Sequence, residues 1–562
     1  MNRWQEAMHH LRNFIIRLSI THIVLLAISA LPGVQFSEML FGIWIAALTF
    51  VLLTAFVRPV LLALTLPLTI TTGGLFIFII DGILLMVTDL LTGLEIAGFG
   101  WAILSSVITS VMNIWVESGV KRLGWLERED ADDPPEILSP GWVLRALLGL
   151  GLLFGIVFSF SMAFQVALAL SKVTSNLGII GAAALITLFL VSQGIAWLVA
   201  EGLEAAHRAR FAVIVGLLTI GGALIAAGIL LLQPIETTSP PAPGPEVAYW
   251  DLVTGSRIAY VHYPARGEPS EAPIVYLHDG PGLAVLEPDR TFYSQFALDG
   301  FDVYLYDQVG TGLSGRLEHA GDYSLERDIA DLDAIRNELG MHELILIGQG
   351  AGAELAARYM SRYPERVNKA IFHSPTPMWN DEQFFVNYAR TASPIGPNPV
   401  FEPRLLLAAA LASYGPGAAQ NLASQQAMGG LLERTFNPRT WVCARHAEQA
   451  PRIEGGGFNF FVQLGAEMSA RALPDPRPRL QDNLTPSIVL AAECDYVPWP
   501  VILQYREALL NEDVFYFEGA GHAIHLTQPQ PLAGVIRAFL LDAPYPIPPY
   551  QRPDDPRPLL SP

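Results

Sequence analysis

ELILIGQGAGAELAARYM, Glu343–Met360, is the stretch on which the fold turns. Its first part is an unbroken run of Leu and Ile, the pattern of a strand buried on both faces. From Ala353 to Pro364 the pattern becomes helical. Between them GQGAG, Gly348–Gly352, passes straight from strand to helix, and its small residues relieve the crowding of a sharp turn. A junction of this kind presents a nucleophile at its apex. The apex here is Gly350, which has no side chain to attack with.

Outward from this turn, short apolar runs alternate with helical patterns. IAYVHYP, APIVYLHD, DVYLYDQ, a helix from about Ser324 to Gly340, ELILIG, a second helix and KAIFHSP follow one another. Such alternation predicts a mostly parallel sheet with covering helices. After Pro375 the pattern is helical and irregular until SIVLAAECD restarts the strands near residue 487, so a helical cap is expected over about 376–485.

Open α/β sheets place their sites at the strand ends. Three further groups lie there. HDGPG, His278–Gly282, makes a tight loop whose amides could face a developing oxyanion, although alone it reads equally as a turn. Asp495 follows SIVLAAEC, and His522 lies in GAGH after VFYF. An acid and a base in this order and context are what a Ser–Asp–His arrangement leaves once the serine is gone. Two other chemistries are weaker. A dinucleotide-binding reading of GQGAGA needs an acid at the end of the next strand, and KAIFHSP has none. A displaced nucleophile would have to be Ser314 or Ser374, neither of which sits on a sharp turn.

From about residue 248 to 543 these motifs resemble the proline iminopeptidase-type α/β-hydrolases. HDGPG resembles their HGGPG, DQVGTGLS (Asp307, Gln308, Gly310 and Gly312 among it) resembles their DQRGxGxS, and GQGAG, Asp495 and GAGH take the places of their elbow serine, acid and histidine. The resemblance implies an α/β-hydrolase fold with a cap between the sixth and seventh strands. It also implies oxyanion donors at Asp279 and Gly280 and at the amide of Ala351, in a loop shaped by His278, Pro281 and Gly282. Active relatives remove N-terminal residues from short peptides or hydrolyse related esters and amides. This sequence departs from them twice: Gly350 removes the nucleophile, and Asp279 puts a carboxylate where they have glycine. Loss of a triad member leaves roughly 10³–10⁴ over water from binding and oxyanion stabilisation. Returning a serine at 350 tests whether the rest of the scaffold is intact or has decayed beyond that position.

The N-terminal part is of another class. The chain has 562 residues, 51% apolar and 15% charged, and its apolar runs before residue 234 are long enough for a hydrocarbon core that needs roughly 20 helical residues. Seven spans are expected, near 13–33, 40–56, 68–90, 97–116, 143–168, 177–199 and 211–233. An acidic linker, Glu117–Pro140, divides four from three, and Arg58–Pro67 is either re-entrant or the start of the third span. Arg3, Arg12, Arg17, Arg58, Lys121, Arg122, Arg128, Arg145, Arg208 and Arg210 then share one side, against Lys172 alone on the other. Basic residues resist translocation, so the N-terminus is expected in the cytoplasm of a bacterial cell and residues beyond 234 outside it. Asp81, in FIFIIDGILLM, reads as a protonated or interhelically bonded carboxyl with no second buried charge, or as a transport site. NFIIRLSITHIVLLAISALPG, RPVLLALTLPLTITTGGLF and AGFGWAILSSVITS resemble the holin-like four-span (superfamily IV) bacterial membrane proteins over the first 118 residues or so. That family's function is poorly defined, and the resemblance does not imply a lytic pore.

PIETTSPPAPGPEV, residues 234–247, is expected to be an extended spacer, and the tail from 544 is again rich in proline. Fifteen acids against eleven bases before residue 240 leave −15 of the net −19 downstream, which argues against nucleic acid as a partner. Cys443 and Cys494 both fall in the exported half, where a disulfide is permitted. No Cys and His cluster has metal-ligand spacing, and no cofactor is expected. The leading expectation is therefore a membrane-anchored hydrolase fold without a nucleophile that binds a small peptide or ester-like ligand or serves as a subunit of a membrane complex. A working peptidase or esterase is the alternative, and transport through the spans a third.

Overall fold

The structure, a computed structural model, describes residues 42–65, 76–109, 142–379 and 402–557, apart from a few positions within those ranges, with short pieces before residue 37. Arg3, Arg12 and Arg17, the linker with Lys121, Arg122 and Arg128, and part of the expected cap lie outside the described residues. The chain forms two compact units, Met1–Leu170 with Gly178–Ala227, and Ser171–Leu177 with Gly228–Pro562.

Among its described residues the first unit is mainly helical, with one short antiparallel strand pair, Val34–Phe36 and Leu94–Ile96. Helices α1 (Gly42–Leu64) and α2 (Phe76–Leu91) pack through small and aliphatic residues, Ala46, Ala47, Leu84 and Leu85 among them. Further along come α3 (Trp142–Ser171), α4 (Leu177–Gly202) and α5 (Arg208–Leu231). Two of these, α4 and α5, are long and apolar enough to cross a membrane, and many of their large apolar side chains, such as Ile186, Leu190, Leu218 and Ile225, are exposed. In water that surface would be unfavourable, whereas in lipid it is the expected one.

Two sequence expectations change here. Asp81 does have a charged partner: Arg58 reaches it with Nη2 2.9 Å from Oδ2 and Nε 2.9 Å from Oδ1. The reason is that α1 does not stop at Arg58-Pro59, as a turn or re-entrant segment would, but continues to Leu64 and carries the guanidinium to the middle of α2. Paired charge of this kind makes Asp81 the interhelical bond of the plainer reading.

In the second unit, eight strands form one sheet: β1 (Val247–Asp251), β2 (Arg257–Tyr263), β3 (Ile274–Leu277), β4 (Val303–Tyr306), β5 (Leu344–Gln349), β6 (Val367–His373), β7 (Ser487–Ala492) and β8 (Glu512–Phe517). Their order is β8-β7-β6-β5-β3-β4-β2-β1. Strands β3 to β8 pair in parallel, while β2 runs antiparallel to both β1 and β4. Central strands β3, β5 and β7 are buried at every position, as their unbroken apolar runs require of strands covered on both faces. The helix expected from Ser324 is α6 (Leu325–Glu338), which starts there because the Ser324 hydroxyl accepts the Arg327 N–H. The elbow feeds α7 (Ala351–Arg362).

Between β6 and β7 lies the helical cap, including Pro403–Ala412, Pro416–Leu422, Gln425–Thr435 and α8 (Phe460–Ala470). Segment Ser171–Leu177 packs with this unit: Asn421 Nδ2 donates to the Ser175 carbonyl at 2.9 Å, and Lys172 Nζ lies 5.2 Å from the Tyr414 ring centre.

Candidate functional site at the strand ends

At the end of β5 the chain turns through Gly350 with φ 54° and ψ −117°. Glycine adopts this conformation without the strain a side chain would suffer. The β5–α7 junction predicted from GQGAG is therefore present, with its apex empty. What fills the space is Asp279. A β-carbon at Gly350 would fall within the Asp279 carboxylate, so glycine at 350 and aspartate at 279 fit each other and a serine at 350 fits neither.

The Asp279 carboxylate occupies the centre of the site. Its Oδ1 accepts N–H bonds from Gly280 at 2.7 Å and from Ala351 at 3.3 Å, the two amides expected to hold an oxyanion. The Ala351 amide opens α7, where the helix dipole also favours negative charge. Oδ2 lies 3.0 Å from His522 Nε2, while His522 Nδ1 lies 2.9 Å from Asp495 Oδ1. The base thus stands between two carboxylates, one on each ring nitrogen.

Burial opposes charge on the His522 ring, but Asp495 and then Asp279 outweigh it and push the pKa up to about 10. At neutral pH the ring is an imidazolium that donates to both acids, and it has no free nitrogen with which to accept a proton from a nucleophile. Tyr496 stacks on it at 4.4 Å between ring centres, its hydroxyl 3.3 Å from Nε2, and Trp441 lies 6.3 Å away. Neither aromatic was singled out from the sequence. Tyr496 follows Asp495 directly, yet adjacency alone does not distinguish it from Val497.

The remaining motif residues build walls. His278 accepts the Gln308 N–H on Nε2 at 3.1 Å and donates from Nδ1 to the Asp279 carbonyl at 2.7 Å. Asp307 accepts N–H bonds from Val285 at 2.9 Å and Leu313 at 2.8 Å, tying the HDGPG loop to the Gly310–Gly312 turn. Pro281 and Gln308 line a cleft that reaches Ala351, and Gly282 accepts the Asn459 N–H of the cap through its carbonyl. Of the displaced nucleophiles, Ser314 donates to the Asp307 carbonyl at 2.6 Å and accepts the Ala259 N–H at 2.8 Å, so its proton is held by a carbonyl rather than by a base. Ser374 Oγ is buried without a hydrogen-bond partner among the described residues, and so has no base there. Among the described residues no His, Cys, Asp and Glu cluster could hold a metal ion.

Cys443 of the cap and Cys494, beside Asp495, form a disulfide with S–S 2.05 Å. It joins the segment bearing Trp441 to the strand end bearing the acid. Ala523 donates its N–H to the Trp441 carbonyl at 3.0 Å, and Cys494 its own to Ala520 at 2.9 Å. Beneath them His373 accepts the Ile524 N–H at 3.2 Å and meets the Tyr293 hydroxyl at 2.9 Å. Burial, with His525 and His522 nearby, holds the His373 pKa well below the usual imidazole range, so this support stays neutral.

Residues 272–529 match the family model described as the alpha/beta hydrolase fold. The second unit has that fold. Residues 12–115 match a model described as the mycobacterial 4 TMS phage holin, superfamily IV. The chain is similar to the proline iminopeptidase of Heyndrickxia coagulans, 33% identical over 138 residues, or 23% of this chain and 45% of that one. It thus spans less than half the length of that relative. A second similarity is to the uncharacterized membrane protein YvlD of Bacillus subtilis, 42% identical over 78 residues, 14% of this chain and 66% of that protein. Among solved structures, a thermophilic esterase from Thermogutta terrifontis is 17% identical, with 55% of this chain and 99% of that one covered at a TM-score of 0.39. The chain is accordingly a membrane-associated α/β-hydrolase-fold protein with proline iminopeptidase-like relatives.

Proposed function

We propose that this protein is a membrane-anchored binding module in which the α/β-hydrolase fold holds a small ligand outside the cytoplasm without hydrolysing it by serine chemistry. The observation that carries this reading is the Asp279 carboxylate, which takes up the space of a serine oxygen, both oxyanion donors and the free nitrogen of His522. Three catalytic parts are neutralised by one side chain. A cleft of about 380 Å³ nevertheless stays open beside Ala351, within the range of roughly 300–1,000 Å³ usual for ligand sites. A scaffold kept only for its shape has no need of such a space.

Two features support an extracytoplasmic site, which seven spans of a bacterial membrane with a cytoplasmic N-terminus would produce. A disulfide beside the site suits an oxidising compartment. Lys172, on the expected outer side, lies in a segment packed on the cap. Lipid is then the partner of the helical unit, and further subunits of a membrane complex are consistent with an anchor of this size.

The test uses full-length protein in detergent, a fluorophosphonate probe and a panel of aminoacyl-arylamides. Wild type, Gly350→Ser and Asp279→Gly are expected to stay unlabelled and inactive, because each single change leaves either the carboxylate or the empty apex. The double variant Asp279→Gly/Gly350→Ser is expected to label and turn over. Hydrolysis by the wild type would overturn the reading and favour the alternative, an active peptidase or esterase of the proline iminopeptidase kind.

A further inference from the structure

The chain after the last helix, Pro529–Leu540, is rich in proline, and an end of this kind stays loose unless its backbone is tied down. Here it is tied every few residues. Tyr545 packs against Phe515 of β8 with ring centres 4.7 Å apart, and the Tyr550 N–H donates to the Val514 carbonyl of the same strand, which ends the sheet. The helix Trp499–Ala508 holds the next stretch: Arg506 donates to the Gln551 and Arg552 carbonyls at 2.8 and 2.7 Å, and the Trp499 indole N–H donates to the Pro553 carbonyl at 3.2 Å.

This strap ends on Arg557. Residues 551–555 are exposed, yet the Arg557 side chain is only 16% exposed. Its Nε and Nη2 donate to the two carboxylate oxygens of Asp555 at 2.8 and 2.7 Å, a bidentate pair that fixes the plane of the guanidinium. Nη1 is left to reach the site. It donates to the Val497 carbonyl at 2.7 Å and to the Asp495 carbonyl at 3.4 Å, with the Trp499 ring centre 5.8 Å from the guanidinium carbon. Those two carbonyls bracket Tyr496, the residue stacked on His522. Asp495 Oδ1 in turn accepts the Val497 N–H at 2.9 Å while it meets His522 Nδ1 at 2.9 Å, so one short turn carries the acid, the stacked ring and the carbonyls that Arg557 grips.

We infer that Arg557 is a positioning residue for the Asp495–His522 pair, gripping the backbone on both sides of Tyr496 and so setting how Asp495 and Tyr496 meet the imidazole. A side chain that orients a site needs its own orientation fixed by a further shell of contacts, and the tail supplies that shell from 62 positions along the chain. Only a planar fork can bond Asp555 through two donors and still present a third to a carbonyl. Lysine, a point charge on a flexible stem, cannot. None of these contacts involves a ligand, so the clamp stands whether the fold binds a small molecule or hydrolyses one.

The experiment is proton NMR of full-length protein in detergent at neutral pH, observing the downfield imidazolium N–H signals of His522. Their loss in His522→Gln assigns them, and Asp279→Asn, which shifts the Nε2–H, tells it from the Nδ1–H that faces Asp495. Arg557→Gln and Arg557→Lys are each expected to speed exchange of the Nδ1–H with water by roughly 10-fold or more, with the Nε2–H little changed, because the local opening is at the Asp495 turn. A tail that merely staples the chain end would lower the melting temperature and leave both exchange rates as in the wild type. That result would overturn the proposal, as would wild-type exchange in Arg557→Lys or a wild type without the Nδ1–H signal. Should the Arg557 variants fail to fold, Asp555→Asn, which keeps the guanidinium but frees its plane, is expected to speed the same exchange, and an unchanged rate there would equally overturn it.

Discussion

Gly350 and Asp279 are one feature at two positions. Neither makes physical sense alone: the carboxylate needs the space that a side chain at 350 would take, and the glycine leaves two amides and an imidazole that need an acceptor. Their combination turns a catalytic dyad into a buried Asp–His–Asp ion triad. Its pH dependence follows from the direction of the shift. Because the folded-state pKa of His522 is raised to about 10, above the ordinary imidazole value near 6.5, its contribution is complete below about pH 6.5 and is lost as pH rises through 10. Removing one partner of a buried pair costs roughly 3–5 kcal/mol. Asp279→Asn is therefore expected to lower stability by about that much at pH 7 and by much less at pH 10.5. Paired chemical denaturation curves at the two pH values check this; a difference that does not shrink would mean that the ring is neutral at pH 7.

Elements, not isolated residues, hold the triad in place. Asp495 comes from the end of β7 and His522 from the loop after β8, and the cap segment with Trp441 closes over both through the Cys443–Cys494 bond. The bond spans 51 residues of chain, and removing a native disulfide from a small exported domain costs roughly 2–5 kcal/mol. Cys443→Ser/Cys494→Ser, or reductant on the wild type, is expected to destabilise the second unit by a similar amount and to raise proteolytic cutting in Pro438–Gln449 first. Thermal melts with and without reductant, followed by mapping of the first cleavage site, test it. Cleavage that begins elsewhere would show that the disulfide does not anchor the cap.

For the whole molecule, the reading depends on which side of the membrane each part occupies. The net −15 downstream of residue 240 keeps the second unit from anionic surfaces and favours cationic ligands. Single cysteines introduced at Lys172, His207 and Thr237, all exposed, should react with a membrane-impermeant maleimide in intact cells at 172 and 237 and not at 207. Labelling at 207, or none at 237, would reverse the topology and place the disulfide in a reducing compartment.

Much of this protein was legible from local pattern. A strand, a tight turn and a helix at Leu344–Arg362, the cap between β6 and β7, the Ser324 helix start and the acid and base at strand ends follow from periodicity and turn chemistry, which act over a few residues. Gly350 itself announced the missing nucleophile. What the sequence could not determine were relations between residues far apart in the chain. Arg58 reaches Asp81 only because α1 runs on past Pro59, Tyr496 stacks on His522 across 26 positions, and Asp279 fills the apex at Gly350 across 71. Each depends on distances of a few ångströms that sequence spacing does not encode, and it is those distances that turned an expected vacancy at the elbow into an occupied one.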